Sequence, residues 1–245
     1  MKVKLIDYTG AGAKDPARHA ANVLVFTKQT RLEMSAGLFE DIENWSAARI
    51  AEELEYMANT IPSSWEFVEY KFLITGVTRG FTHQFVRSRT GTYAQQTMRV
   101  LNVNGWTFGT GPTIENSPGL YAEYEEHMNQ TAGSYDWLVA NGAKIEDARG
   151  VLPTNIHTNL CAKFDLRALA DIARKRASSR TQGEYREVLD AMLAEVKRVH
   201  PWSELFFRRT FDKAAKELED SITLLELDAT EKTNMIKLID QMRAK

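Results

Sequence analysis

Cysteine is almost absent from this chain, which has Cys161 as its only cysteine in 245 residues. A single cysteine excludes an intrachain disulfide. Long apolar runs are absent too: no stretch approaches the ~20 apolar residues that a membrane-spanning helix needs. Met1–Tyr8 alternates like a strand and lacks the apolar run of a signal peptide. These absences predict a soluble cytoplasmic protein without a membrane partner, in a bacterium or, for a viral protein, in the host cytoplasm.

Excess charge is also absent, because the formal net charge at pH 7 is -2. A nearly neutral chain is not drawn as a whole to nucleic acid, so we expect no nucleic-acid partner. No two histidines stand at metal-ligand spacing, so we expect no metal. Hydrophobic residues make up 43% of the chain, enough for a sizeable core. The length suits a domain over residues 1–220 followed by a C-terminal helical extension over residues 221–245.

Acidic side chains are missing from two stretches, Tyr70–Ile114 and Ala148–Phe164. In a chain of balanced charge, acid-free stretches that bear arginines suggest a local anion site. Chance clustering of basic residues on a solvated face is equally compatible with the charges alone. The basic residues of the two stretches are Lys71, Arg79, Arg87, Arg89, Arg99, Arg149 and Lys163.

Hydrophobic periodicity predicts strands early in the chain and helices late, which favours an α+β fold over a regular βαβ repeat. The predicted strands are Met1–Asp7, Glu66–Ile74 and Arg99–Val103, and Thr90–Thr97 is predicted to be a polar loop. The predicted helices are Leu38–Asn59, Val77–Arg89, Leu120–Asn141, one beginning at Pro153, Leu166–Ala177 capped by Asp165, Tyr185–Val199 behind a capping box of Thr181 and Glu184, and Thr230–Met242.

The segment His83–Arg99 concentrates groups that bind phosphate. Its arginines, Arg87, Arg89 and Arg99, offer planar paired donors and stay charged at any working pH. The loop between them adds backbone N–H groups and threonine hydroxyls, which suits a nucleotide phosphate. The alternative is a basic surface loop whose arginines pair with acids elsewhere in the protein.

Gln84–Arg89 is followed, after seven intervening residues, by Thr97 and Arg99. This pattern resembles the signature of the flavin-dependent thymidylate synthases, which reads Arg-His-Arg, seven residues, then Ser-x-Arg. The resemblance covers roughly residues 62 to 211, and several motifs in the family's order indicate common ancestry. The further segments that resemble the family are Ser64–Phe67, Arg149–Pro153, Asp165–Arg167, Asp171, Arg176–Glu184 and His200–Trp202.

The resemblance implies an antiparallel sheet with helices, and a homotetramer whose sites are shared between subunits. It also implies a methyltransferase that binds a pyrimidine deoxynucleotide and converts dUMP to dTMP. Methylenetetrahydrofolate would supply the carbon, reduced FAD the hydride, and NADPH would be a further cosubstrate. The protein's own part is to position the reactants and to polarise the base.

The resemblance further implies roles for individual residues. Arg176 is the implied catalytic residue, because a guanidinium against the pyrimidine stabilises the charge that builds there when C5 becomes a nucleophile. The alternative places Arg176 on a solvated helix face with the ion pairs Arg167–Asp171 and Asp171–Arg174. The implied nucleotide-binding residues are Gln84, Arg87, Gln95, Gln96, Thr97, Met98, Arg99, Arg149 and Arg176. The implied flavin-binding residues are Ser63, Arg87, Ser88, Arg89, Gln95, Asp165, Arg167 and Asp171.

The chain departs from the family pattern mainly near the flavin. Ser88 stands where the family has a histidine, Gln95 where it has a glutamate, and Asp165 and Asp171 where it has asparagines. Two alternatives therefore stay open: 5-hydroxymethylation of dUMP or dCMP, if water instead of hydride meets the exocyclic methylene, and a non-catalytic flavin- or nucleotide-binding homologue.

Cys161, on a stretch predicted to be apolar and helical, is interpreted as a packing residue and not as a nucleophile.

Overall fold

The computed structural model describes residues 1–100, 105, 107–176, 182–207, 218–225 and 228–243. The chain divides into two compact units, each made of two segments. Unit 1 consists of Met1–Ile6 and Lys71–Lys163, and unit 2 consists of Asp7–Tyr70 and Phe164–Lys245. Among the described residues, no helix is both long and apolar enough to cross a membrane. The predicted division between residues 220 and 221 stays a prediction.

Four strands form one antiparallel sheet in the order β1-β2-β4-β3. β3 pairs antiparallel with β4, with Thr92 opposite Lys163 and Gln95 opposite Leu160. The predicted α+β class with an antiparallel sheet is therefore confirmed. The strands are β1 (Lys2–Tyr8), β2 (Glu69–Thr78), β3 (Thr92–Gln95) and β4 (His157–Asp165).

Two of these strands were predicted wrongly from the sequence. β4 lies where a helix was expected to begin at Pro153, so Cys161 is on a strand. Along β4, Thr158, Leu160 and Ala162 are buried and alternate with half-buried residues, which is the period of a strand with one face inward. β3 lies inside the expected loop Thr90–Thr97 and has only four residues. Its hydrogen bonds come from β4, a partner distant in sequence, so local periodicity could not indicate it.

The burial pattern of β2 changes phase at Gly76. Phe72 and Ile74 are buried with period two, and the next buried residue is Val77. Gly76 has a φ of +66°, in the left-handed region that glycine enters without the strain of a side chain. A shift of one residue is what a β-bulge produces. The Gly76 N–H donates to Oδ1 of Asn159 on β4 at 3.0 Å.

The helices of unit 1 follow β2 and β3 along the chain. α4 begins after Thr78, whose Oγ1 accepts the N–H of Phe81 at 3.0 Å, and it ends before the predicted Arg89. A small core joins the loop residue Met98 to Tyr135 and Ile156. The helices are α4 (Arg79–Phe85), α5 (Pro112–Glu115), α6 (Pro118–Ala140) and α7 (Ile145–Ala148), followed by a 3-10 helix (Arg149–Val151).

The helix predicted over Leu38–Asn59 is two helices in unit 2. Ser46 begins the second one, because its Oγ accepts the N–H of Arg49 at 3.2 Å. The guanidinium of Arg18 donates to the carbonyl oxygen of Trp45 at 2.6 Å, which satisfies an acceptor in the break. The first segment of unit 2 contains α1 (Pro16–Gln29), α2 (Leu38–Glu43), α3 (Ala47–Thr60) and a 3-10 helix (Pro62–Phe67).

The second segment of unit 2 is helical, as predicted. Asp165 caps its first helix, since its Oδ1 accepts the N–H of Ala168 at 2.7 Å. Arg99 and Val100, where a strand was predicted to begin, form a bend and not a strand, and residues 101–103 of that predicted strand lie outside the described residues, as does Thr181 of the predicted capping box. The helices are α8 (Leu166–Arg176), α9 (Gly183–Val199), a 3-10 helix (Pro201–Ser203), α10 (Glu204–Phe207), the described part of α11 (218–224) and α12 (Ala229–Arg243).

A buried histidine lies in the core of unit 2. His200 is fully buried, and its Nδ1 lies 3.0 Å from the hydroxyl oxygen of Tyr70. The imidazole stacks on Trp202 with ring centroids 5.1 Å apart. Burial lowers the pKa of His200 from 6.5 to about 4, because the charged form loses its hydration in the core.

His200 should therefore make the stability of the protein depend on pH. Between pH 6.5 and about 4, the unfolded chain binds a proton at His200 that the folded chain does not. The stability that neutral His200 allows is fully present above pH 6.5. As the pH falls towards 4, the free energy of unfolding decreases, and this loss reaches ~3 kcal/mol. Urea unfolding of the wild type and of His200→Phe across this range measures it. Stability curves that stay parallel for the two proteins would contradict the assignment to His200.

Candidate functional site

The turn after α4 presents Arg87 and Arg89. α4 ends on Phe85, which is fully buried and holds this end of the helix in the core. The hydroxyl of Tyr93 on β3 donates to the carbonyl oxygens of Phe85 at 3.1 Å and of Ser88 at 2.8 Å. Carbonyl groups at a helix end lack hydrogen-bond donors within the helix, and the Tyr93 hydroxyl is one donor from outside it. The turn that carries the two arginines is therefore fixed by β3.

Arg87, Arg89 and Arg99 are exposed. Within the described part of the chain, their guanidinium groups make no hydrogen bond or ion pair. The alternative predicted from the sequence, pairing with acids elsewhere, is thus not found among the described residues. Uncompensated arginines on one segment make the local potential positive, and each can bind a phosphate or carboxylate through two parallel N–H donors.

The segment Gln95–Arg99 is held from inside unit 1. Nε2 of Gln95 donates to Oγ1 of Thr82 at 2.9 Å, and Oγ1 of Thr97 accepts the N–H of Arg99 at 3.1 Å. Met98 is buried in the small core of unit 1, and burial of such a side chain contributes about 1.5–3 kcal/mol. The residues predicted to contact the nucleotide thus lie on a segment anchored at several points.

Asn159 on β4 fixes Gln96 within that segment. Its Nδ2 donates to Oε1 of Gln96 at 2.7 Å, and its carbonyl oxygen accepts the N–H of Gln96 at 2.9 Å. The Oδ1 atom of the same side chain accepts the N–H of Gly76. Nη2 of Arg79 then donates to the carbonyl oxygen of Gln96 at 3.1 Å. One asparagine therefore ties β2 and β4 to the predicted nucleotide-binding segment.

A cleft of about 260 Å³ in unit 1, here called the Arg79 cleft, is lined by nine residues: Arg79, His83, Met98, Arg149, Gly150, Leu152, Pro153, Thr154 and Ile156. Nε of Arg149 donates to the carbonyl oxygen of Glu146 at 3.0 Å. Burial, and then the charge of Arg149, lower the pKa of the Arg79 guanidinium. Two like charges therefore share this cleft. No role was predicted for Arg79 from the sequence, although Arg79 stands in an acid-free stretch that suggested an anion site.

Unit 2 carries the remaining predicted site residues, and most of them already have partners. Oγ of Ser63 accepts a hydrogen bond from Nη2 of Arg31 at 2.7 Å. Asp165 caps α8 through Ala168. Flavin contacts by these residues would add to interactions that also stabilise the fold.

The ion pairs along α8 differ in part from those expected for a solvated face. Arg167 pairs with Glu66 and not with Asp171. Its Nη1 lies 2.6 Å from Oε1 of Glu66. Oδ1 of Asp171 lies 3.8 Å from Nη1 of Arg174, an ion pair that the solvated-face alternative predicted. The guanidinium carbon of Arg176 lies 4.7 Å from the ring centroid of Tyr185, and Arg176 is half-buried. A cation–π contact of this kind orients the guanidinium plane, so Arg176 is not simply a solvated residue.

Comparison with known proteins extends the sequence resemblance. Residues 4–202 match the model of the thymidylate synthase complementing protein family. The chain belongs to this family. It is 30% identical over 217 residues to the flavin-dependent thymidylate synthase of Clostridium tetani, covering 82% of this chain and 84% of that protein. It is 32% identical over 208 residues to the enzyme of that name from Sulfurisphaera tokodaii, covering 82% and 75%. A third relative with that name, from Thermococcus onnurineus, is 34% identical over 51% of this chain and 53% of its own length.

The side chains of this family member fit a flavin nucleotide. Arg87 and Arg89 have N–H donors without partners among the described residues, which suits the phosphate groups of such a cofactor. Among the residues that the structure describes, no group of His, Cys, Asp or Glu side chains could hold a metal ion. The donors present suit an anion.

Asn159→Ala should loosen the nucleotide-binding segment. The change removes the acceptor for the Gly76 N–H and the donor for Gln96 Oε1, and each buried group left unpaired costs ~1–3 kcal/mol. We expect a lower urea midpoint and faster exchange of the Gly76 amide hydrogen. Cys161→Ala, two residues along the same face of β4, is the control and should change little. Equal midpoints for the wild type and Asn159→Ala would contradict this role.

Proposed function

We propose that this chain catalyses the flavin-dependent transfer of a one-carbon unit to C5 of dUMP, which yields dTMP. The observation that carries the proposal is the set of arginines after α4 that have no partner among the described residues, in a chain that belongs to the thymidylate synthase complementing protein family. Relatives named flavin-dependent thymidylate synthase cover most of its length. Exposed arginines on one segment, with no carboxylate paired to them in the part of the chain that the structure describes, suit a phosphorylated substrate.

Capture of the nucleotide is assigned to unit 1. Arg87, Arg99 and Arg149 supply charged donors to the phosphate, with Arg149 contributed in the assembled protein by the same or a neighbouring subunit. The remaining nucleotide contacts come from the segment that Asn159 holds in place. Because this segment is anchored before the ligand arrives, little conformational entropy is lost on binding. The nucleotide contacts other than arginine are Gln84, Gln95, Gln96, Thr97 and Met98.

The cofactor is proposed to be FAD, with methylenetetrahydrofolate and NADPH as cosubstrates. When bound, reduced FAD supplies the hydride that completes the methyl group. Arg87 and Arg89 would hold its phosphate groups through donors that have no partner among the described residues. Ser88 and Gln95 in unit 1, and Ser63, Asp165, Arg167 and Asp171 in unit 2, would complete the cofactor contacts.

Arg176 is proposed to act on the pyrimidine ring. C5 of uracil becomes nucleophilic as negative charge builds on O4 or as the N3 proton is lost. A guanidinium facing that edge stabilises the developing charge through two aligned N–H groups. The contact with Tyr185 limits the orientations of Arg176, so the donors are directed before the reaction begins.

The assembled protein is proposed to be a cytoplasmic homotetramer. Leu224 is 86% exposed and Leu225 is 49% exposed, and apolar side chains so exposed favour association. A monomer in light scattering at micromolar concentration would contradict this assembly.

A product assay tests the proposed function. The purified protein should take up FAD and, when reduced, should convert dUMP and methylenetetrahydrofolate to dTMP, identified by mass spectrometry. A 5-hydroxymethyl nucleotide would instead show that water meets the exocyclic methylene. Absence of flavin binding even with dUMP present would contradict the whole assignment.

The two kinds of arginine should respond differently to substitution. Arg99→Ala should raise the dUMP dissociation constant by about one to two powers of ten, since a charged hydrogen bond contributes ~1.5–3 kcal/mol. Arg176→Lys keeps the charge but loses the planar donors, so its turnover should fall more than its affinity. Equilibrium titration and single-turnover rates on both variants measure this.

Arg198→Met is the control for these variants, because Arg198 lies on the exposed surface of α9 and its one ion pair within the described ranges is with Glu195. It should match the wild type in affinity and rate. Normal turnover of Arg176→Lys together with normal dUMP binding by Arg99→Ala would mean that the site lies elsewhere.

A further inference from the structure

α11 and α12 form a helix pair that follows the part of the chain matched by the family model, which ends at residue 202. Ile222 on α11 and Ile239 on α12 form one small buried cluster. Nζ of Lys232 donates to the carbonyl oxygen of Thr223 at 2.9 Å, which also joins the two helices. Asp228 caps α12, because its Oδ1 accepts N–H groups of the first turn at 2.7 and 2.9 Å. The helix pair therefore has local contacts of its own.

The buried cluster of the helix pair is too small to stabilise it alone. Within the described part of unit 2, α12 makes no extensive contact with α1–α3 or α8–α10. Isolated helices shorter than ~12–15 residues are marginal in water; α12 has 15 residues, and the described part of α11 is shorter. Helices of this length are stabilised mainly by packing an apolar face. Two buried side chains leave most of such a face uncovered.

Four large apolar side chains surround the buried cluster and are exposed. On α11 and at its end, they lie three or four positions from Ile222, and on α12 Met235 lies four positions before Ile239 and three before Leu238. Residues at these spacings share one helix face. A contiguous apolar patch of this kind is typical of an association surface. These residues, here called the apolar face, are Leu218 (51% exposed), Leu225 (49%), Met235 (41%) and Leu238 (59%).

Charge is separated between the two halves of the helix pair. Residues 217–228 contain five acidic residues and no basic one, whereas residues 229–245 contain four basic and two acidic residues. If two copies met with α11 against α11, the acidic segments would repel each other. With α11 against α12 of the other copy, opposite charges meet and the apolar faces close into a four-helix core. The charges therefore favour a second copy of this chain as the occupant of the apolar face.

We propose that the apolar face is an interface between two copies of this chain. In this interface the two helix pairs form a four-helix bundle, with α11 of each copy against α12 of the other. A twofold arrangement of this kind buries the same patch on both copies. The pairing is independent of the chemistry proposed above, and it adds a specific contact to the proposed assembly.

Cross-linking of mixed isotopes tests the pairing on the full-length protein. Chains labelled with light and with heavy nitrogen are mixed in equal amounts, in urea that permits subunit exchange, and native mass spectrometry verifies the mixed assemblies. A carbodiimide then couples lysine side chains to carboxylates in direct contact. We expect cross-linked peptides that join Lys237 to an acidic residue of α11. About half of them should combine both isotopes, because random mixing brings unlike copies together in half of the pairs.

Leu238→Gln is the decisive variant, since it places an amide on the apolar face where pairing would bury it. The yield of mixed-isotope cross-links should fall by about tenfold, and the amide hydrogens of α12 should exchange about tenfold faster. Those of α8 should be unchanged. Thr233→Gln is the matched control, because Thr233 is exposed and lies on the opposite side of α12. It should match the wild type in both measurements.

Cross-links of Lys237 that always join peptides of one isotope would overturn the proposal, because the apolar face would then be closed within a single chain. A protein that shows only single copies in native mass spectrometry would overturn it too. So would fast exchange of α12 in the wild type without mixed-isotope cross-links, which would leave the face open to a different protein. Equal effects of Leu238→Gln and Thr233→Gln would contradict the role of this face.

A variant on the other helix keeps the test valid if Leu238→Gln does not fold. Leu218→Gln changes the same face from α11, and it should cause the same loss of mixed-isotope cross-links. Wild-type yields in this variant would overturn the proposal.

The dTMP assay separates the pairing from the proposed function. If mixed-isotope cross-links form while the reduced protein yields no dTMP, the pairing stands and the proposed function fails. If dTMP forms without such cross-links, the pairing alone is overturned.

Discussion

The candidate site in unit 1 depends on the side chain of Asn159. Its amide bridges the backbone of Gly76 and the side chain of Gln96, and Arg79 completes the set by donating to the carbonyl oxygen of Gln96. These bonds are directional and partly shielded from water, so they hold the segment in one arrangement more firmly than exposed contacts could. The positive φ of Gly76 is part of the same constraint, because it turns the amide of β2 toward β4.

Electrostatics distinguishes the ligand-binding residues proposed in unit 1 from those proposed in unit 2. In unit 1, Arg87, Arg89 and Arg99 have no partners among the described residues, so an arriving anion displaces only water. In unit 2, Arg167 already pairs with Glu66, and Asp165 already caps α8. A ligand there must share or replace existing interactions, which lowers the net gain from each contact. Of the four departures from the family pattern, Asp165 and Asp171 lie in unit 2, whereas Ser88 and Gln95 lie in unit 1.

Several elements could be predicted from the sequence because their signals are local. Asp165 at the start of α8 is confirmed as a cap, and α6 differs from its prediction by only a few residues, with Pro118 in its first turn as a local start signal. The predicted helix over Leu38–Asn59 failed at Ser46, where a capping serine begins a new helix. β3 and β4 failed for another reason: they are stabilised by each other across a long sequence separation.

The sequence by itself determined the family, the α+β class and the position of the arginine-bearing segment His83–Arg99, since these depend on residue types at set spacings. It also contained the acid-free stretches that make the segment positive. Only the tertiary structure decided that Arg79 and Arg149 line one cleft, and that Nε of Arg79 is buried without a partner among the described residues. Burial and hydrogen-bond satisfaction arise when segments distant in sequence pack together, and spacing along the chain does not encode which donors remain unpaired.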